Sequence, residues 1–204
     1  MRYETSHKDK SRAQIVQSAA TQLRVRGLEA ARLADIMQAT GMTNGGFYKH
    51  FENKVELVVE ALRRALTELA ESLITRVQGM PRREALRSVI EFYLSEEHLR
   101  HPEHGCAIAA LGSEIARMPP HGKRSVSGAL ETYGKRLSPL MPGESDEHRH
   151  TAFRVLFSSM AGCLTAARAE ANKQKQRTLL QAGRSFFVQA FCGSDRQSNQ
   201  EVRQ

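Results

Sequence analysis

"GMTNGGFYKHFENK", residues 41–54, is the stretch on which the reading of this chain turns. A short helix is expected to start near Thr43, whose hydroxyl suits an N-cap because it can accept from an amide two or three residues on. Two glycines, Gly45 and Gly46, then fall in its first turn. Each glycine inside a helix costs about 1 kcal/mol relative to alanine, so a bare backbone here needs a reason. The residues that follow, Phe47, Tyr48, Lys49 and His50, set an aromatic pair and two basic side chains beside it, a run that by itself is as often a solvated face as a DNA contact. A helix whose first turn faces DNA must let its backbone come close to phosphates and base edges, which a missing Cβ permits. Amide dipoles at the helix start also favour a phosphate. Phe47 would anchor such a helix in a small core with Ile15, Leu33 and Ile36.

Working outward, Gly41 makes a turn and a second short helix covers Leu33–Ala39. A first helix runs from about Asp9 to Arg26, with Ile15, Ala19, Ala20 and Leu23 on one face and Gly27 as its stop. Three helices, the last two short and joined by a tight turn, form a helix-turn-helix candidate whose final helix enters the major groove. The matching stretches are "RAQIVQSAATQLRVRG" and "LADIMQATGMTNGGFYKHFENKVEL", ending in the pattern Tyr48-x-His50-Phe51-x-x-Lys54. On these residues the segment from Lys10 to Leu57 resembles the N-terminal domain of the TetR family of transcriptional regulators. The resemblance continues more loosely through "HGCAIAALGSEIARMPP", which looks like the regulatory domain of one branch of that family.

Chemistry and resemblance together assign roles. Thr43 and Asn44 would read bases, asparagine being suited to the N6 and N7 edge of adenine. Tyr48, Lys49, His50 and Lys54 would contact phosphates, setting register without reading sequence. Gly45 and Gly46 would allow the close approach. The family usually caps the second helix with Ser or Thr, whereas this chain has Ala31-Arg32. Arg32 could replace that cap with a phosphate contact, or the helix could be less well capped.

The chain has 204 residues, 40% of them hydrophobic and 25% charged, the profile of an ordinary globular protein. Its net charge of +8 favours contact with a polyanion. Up to Lys54 there are nine cations against five acids, so +4 of the excess lies in the first quarter. Three widely spaced cysteines, Cys106, Cys163 and Cys192, form no C-x-x-C pair and suit a reducing compartment. The N-terminus lacks a signal-peptide core, and no run of about 18 apolar residues suggests a membrane span. A cytoplasmic protein is expected.

Apolar residues recur at spacings of three and four throughout, which predicts an all-α fold of about nine helices. Later helices are expected at 54–78, 81–99, 105–118, 123–137, 146–172 and 173–192, with 138–145 as a loop. The implied organisation is a DNA-binding domain at 1–56, an effector-binding and dimerisation domain at 57–193, and a disordered tail at 194–204. The resemblance implies a small-molecule effector and a homodimer built on the last two helices. Periodicity alone leaves open whether their apolar stripes face their own core or a partner. A pocket is expected between the fourth helix and that at 146–172, with Phe92, Leu111, Met118, Phe157 and Met160 as candidate lining.

Cys106 stands at an expected helix start, with His104 and His101 close in sequence. A thiol in that setting can be activated as a thiolate and sense oxidants or electrophiles. The alternative is a small residue packed in the core. His98, His101, His104 and Cys106 follow no ligand spacing of a structural zinc site, and no metal or cofactor is assigned. No G-x-S-x-G, phosphate-cradling glycine loop or H-E-x-x-H is present, so an enzyme is not expected. The expected function is a repressor that leaves a palindromic operator when a small molecule binds. Two alternatives are a repressor sensing electrophiles through Cys106 and a nonspecific architectural DNA binder.

Overall fold

The structure, a computed structural model, describes residues 2–193, with side chains from residue 7 onward. The tail expected at 194–204 lies outside the described residues. The order is α1 (Arg2–Ala30), α2 (Leu33–Gln38), α3 (Asn44–Phe47), α4 (Lys54–Arg76), α5 (Arg82–Tyr93) and α6 (Glu96–Arg100). Then follow α7 (Ala107–Ala116), α8 (Pro120–Leu137), α9 (Asp146–Ala169) and α10 (Lys173–Cys192). Two 3-10 turns, Pro102–His104 and Ser138–Leu140, complete the set. The fold is all-α, with no strand among the described residues.

Local chemistry accounts for the boundaries. Gly27, at φ 85°, breaks the helical path inside α1 where a residue with a Cβ would be strained. Asn53 accepts from the Glu56 amide at 3.0 Å, while the Glu56 carboxylate accepts from the Glu52 amide at 2.7 Å. Asn53 thus caps α4, which starts at Lys54, and Glu56 reaches back past the cap to the preceding residue. The single helix expected over 81–99 is two. Leu94 leaves the helical path, and the Ser95 hydroxyl accepts from the His98 amide at 3.0 Å, starting α6 afresh. Pro120 begins α8 rather than ending the previous helix, because a missing N–H is harmless in a first turn. Ser145 and Asn172 cap α9 and α10 with their side chains.

The chain forms two compact units, each assembled from two separate stretches. The first comprises Met1–Leu69 and His101–Tyr133. Its core includes Ile15, Leu23, Ile36, Phe47 and Phe51 of the expected head, and also Leu62 of α4 and Leu111 of α7. The expected blocks 1–56 and 57–193 are contiguous, and this core spans their boundary because the apolar stripe of α4 continues past Leu57 without interruption. The second unit comprises residues 70–100 and 134–193, with Val89, Tyr93, Leu156, Met160 and Leu164 buried in it. No helix among the described residues is long and apolar enough to cross a membrane.

Candidate nucleic-acid interface

In the first unit α1 carries the short helices α2 and α3 on one flank. The Ser18 hydroxyl donates to the Ile36 carbonyl at 3.2 Å, and the Gln22 amide donates to the Asp35 carbonyl at 3.2 Å. Arg26 meets the Asp35 carboxylate at 2.8 Å across the same seam. Gly41, at φ 71°, and the Met42 amide donating to the Met37 carbonyl at 3.0 Å reverse the chain between the two helices.

Phe47 is the pin of α3. It is 1% exposed, packs in one core with Ile15 and Ile36, and stacks on Phe51 with centroids 5.4 Å apart. Leu33 lies partly buried against that core. The Tyr48 ring meets Phe47 edge-on at 5.2 Å yet is 72% exposed. An aromatic so oriented and so exposed gives its own core little and presents its hydroxyl outward.

The expected contact residues are for the most part accessible. Thr43, Asn44, Gly45, Lys49, Lys54 and Arg32 are exposed, and Gly46 and His50 are half-buried. Thr43 sits at the N-cap position, but its side chain makes no capping bond. Arg32 stands likewise at the start of α2 without a side-chain cap. Because α3 is a single turn of four residues, its macrodipole is small, and individual amides rather than a helix dipole would meet a phosphate.

The glycines gain a sharper meaning. Neither Gly45 nor Gly46 has a positive φ. A Cβ on Gly45 would come no closer than 4.0 Å to Thr43, and one on Gly46 no closer than 3.8 Å to Met37. The described surroundings leave room for alanine at both positions. No steric demand for a bare backbone at these two positions comes from the described residues themselves.

Two of the expected contact residues also have partners within the chain. Lys54 donates to the Leu28 carbonyl at 2.9 Å, which fixes one of its three protons and leaves two directions for an anion. His50 is held below the ordinary histidine value by burial first, then by the charges of Lys8, Arg12 and Lys49. Lys8 of α1, exposed and acting on His50, extends the basic surface beyond the residues marked by the sequence motif.

Arg12 was legible only as a cation. Its guanidinium lies 4.2 Å from the Phe51 ring centre, donates to the His50 carbonyl, and pairs with Glu56 at 2.7 Å and with Glu60. It ties α1 to the end of the α3 turn and to the start of α4. These carboxylates raise the Arg12 pKa further, and the Arg12 hydrogen bond is the main cause of a depressed Glu56.

Cys106 is 3% exposed and stands before α7 without a side-chain cap, in the same unit as the buried Tyr133. His104 is exposed. The thiol is a core group, in contrast to the accessible thiolate that sensing requires. His101 pairs with Glu103 at 2.9 Å, while buried His98 donates from Nδ1 to the Tyr93 carbonyl at 2.7 Å. No metal-binding group of three or more such side chains occurs among the described residues.

The five candidate effector residues divide between the units. Leu111 and Met118 belong to the core of the first. Phe157 and Met160 are buried in the second, and Phe92 stacks on His98 with the Arg76 guanidinium 4.0 Å above its ring. A groove of about 420 Å³ in the second unit is lined by other residues, among them Arg87, Glu91 and Arg184.

Residues 15–61 match the family model described as bacterial regulatory proteins, tetR family. The HTH-type transcriptional repressor KstR2 of Rhodococcus jostii is 39% identical over 66 residues, 32% of each chain. The match thus spans about a third of that relative's length. A TetR transcriptional regulator from Chloroflexus aurantiacus has the same fold, with a TM-score of 0.69 at 21% identity over 94% of this chain and 98% of that one. A regulator from Saccharomonospora viridis, solved in complex with choline, gives a TM-score of 0.68 at 16% identity, covering 90% and 98%. Residues 15–61 thus match the DNA-binding segment of the bacterial tetR family regulators, and the chain shares the fold of solved TetR regulators over nearly its whole length.

Proposed function

We propose that the protein is a homodimeric repressor whose two heads bind a palindromic operator and are released by a small, reversibly bound effector. The observation that carries the DNA reading is the first turn of α3. Two glycines with no internal requirement sit beside exposed Thr43, Asn44, Tyr48 and Lys49 on a helix pinned from behind by Phe47. In this reading Thr43 and Asn44 meet base edges, while Tyr48, Lys49, Lys54, Arg32 and His50 meet the backbone. Residues 1–56 form the DNA-binding part, and 57–193 serve effector binding and dimerisation.

The homodimer is supported by the last two helices. The stripe of α9 bearing Phe153, Leu156, Phe157, Met160 and Leu164 is core. A second face remains outside, where Val155 is 55% exposed and Phe186 of α10 is 64% exposed, flanked by exposed Gly162, Ala166, Ala182 and Ala190. Large apolar groups among small ones let a second copy approach closely, and two heads supply the two half-sites that operator affinity needs. The effector is supported by likeness to the choline-bound regulator, and repression by the name of the KstR2 relative. Burial of Cys106 favours a reversible ligand over thiol chemistry. A ligand acts by binding the DNA-incompetent arrangement more tightly.

The test is a gel shift on the promoter region of the protein's own gene, with random DNA as competitor. Specific binding is expected, with Asn44→Ala losing about 1–3 kcal/mol of discrimination at one base pair. Lys49→Ala should weaken all sequences alike and lower the salt slope by about 1. Binding competed equally by random DNA would favour an architectural protein instead.

A further inference from the structure

The turn between α1 and α2 is gripped from a distant part of the first unit. The Leu28 amide donates to Glu114 of α7 at 2.8 Å. A Cβ on Gly27 would lie 3.1 Å from the same carboxylate, so the glycine lets it reach the turn. The other polar atom of Leu28, its carbonyl, accepts from Lys54 at 2.9 Å. One residue thus links a carboxylate of α7 to the first cation of α4. A second grip lies one turn earlier. Arg24, 4% exposed, donates to the Ala20 carbonyl at 2.9 Å and the Gly105 carbonyl at 3.2 Å, and pairs with Glu68 at 3.2 Å. Gly105 lies just before α7 and Glu114 in its last turn, so both ends of that helix hold the end of α1.

We infer that Glu114 is a positioning residue for DNA binding, which acts through Leu28 to hold Lys54 where it meets a phosphate. The inference rests on the reading of Lys54 as a backbone contact. A carboxylate accepting from a backbone amide makes a strong, directional bond. It fixes the Leu28 peptide, and the fixed carbonyl in turn orients the flexible lysine stem. Without it the ammonium samples many rotamers, few of which face the phosphate, so the contact is lost from most of the bound population. Through the same bond, a displacement of α7 reaches Lys54 without passing through α3. The segment Gly105–Glu114 is therefore a handle on affinity that leaves base reading by Thr43 and Asn44 untouched.

The test is a double-mutant cycle on the full-length protein with its operator, using Glu114→Ala, Lys54→Ala and the pair, each titrated over a range of salt. Glu114→Ala should weaken binding roughly tenfold, as expected for loss of one well-placed charged contact. It should also lower the salt slope by about 1, as Lys54→Ala does. In the Lys54→Ala background it should have less than a twofold further effect. Glu114→Gln, which keeps the acceptor, should restore most of the loss. Glu114→Asp, too short to reach, should not, and it serves if the alanine variant fails to fold. An unchanged affinity and slope for folded Glu114→Ala or Glu114→Asp would overturn the role of Glu114 alone, as would losses that simply add. Wild-type protein lacking any sequence preference would overturn the regulator reading, and the inference with it.

Discussion

Replacing Arg12 with alanine removes a junction between three elements of the DNA-binding head. The guanidinium carries ion pairs to Glu56 and Glu60, a hydrogen bond to the His50 carbonyl and a face contact with Phe51. The side chains of the pairs are 30–34% exposed, so solvent screening limits each pair to about 0.5 kcal/mol. The carbonyl bond contributes about 1 kcal/mol, and the cation over the ring about 0.5–1 kcal/mol. Losing the cation also leaves Glu56 and Glu60 as an unrelieved i,i+4 like-charge pair, worth about 0.3 kcal/mol. Together these amount to roughly 3 kcal/mol, or a fall in Tm of roughly 6–12 °C for a protein of this size.

Urea unfolding of wild type and Arg12→Ala, run at pH 7 and again near pH 4, tests this. Glu56 has a folded pKa depressed chiefly by Arg12, then by the Glu52 amide. The stability it contributes is complete above the unfolded value of about 4.3 and is lost as pH falls through the folded value. The gap between the two proteins should therefore narrow in acid. A loss below about 0.5 kcal/mol at pH 7 is what a surface substitution produces, and it would refute the junction. A loss that stays constant as Glu56 titrates would assign it to the carbonyl and ring contacts instead.

Two further outcomes concern the second unit and the thiols. His98 is held at about 4, chiefly by burial, while its bond to the Tyr93 carbonyl opposes the shift and Arg168 adds to it. The unfolded chain takes up this proton near 6.5, so stability is complete above that pH and falls toward 4. His98→Gln should flatten the dependence of the urea midpoint between pH 7 and 5, and an identical slope in both proteins would show that the group does not titrate as argued. Cys106 and Cys192 are buried and Cys163 is half-buried. Labelling with a water-soluble thiol reagent, located by mass spectrometry, should mark Cys163 first and Cys106 only in denaturant. Rapid labelling of Cys106 in the folded protein would restore the electrophile-sensing reading.

Helical periodicity, the glycine stops at Gly27 and Gly41, and the run from Thr43 to Lys54 were legible in the sequence, because each depends on backbone preferences within a turn or two. That local information carries the all-α class and the helix-turn-helix. It also frames the question raised by Gly45 and Gly46, but only the structure shows that the surroundings leave room for a Cβ at both. The partners of Arg12 lie 38 to 48 residues away and that of the Leu28 amide 86 away, distances over which no local pattern operates. The same holds for the two faces of α9 and α10. Periodicity marks Phe153 and Phe157 as apolar, but only packing leaves Val155 and Phe186 outside. Cys106 shows the limit most plainly. Its place before a helix suggests a reactive thiol, yet burial decides reactivity, and burial is a property of helices brought together rather than of any one of them.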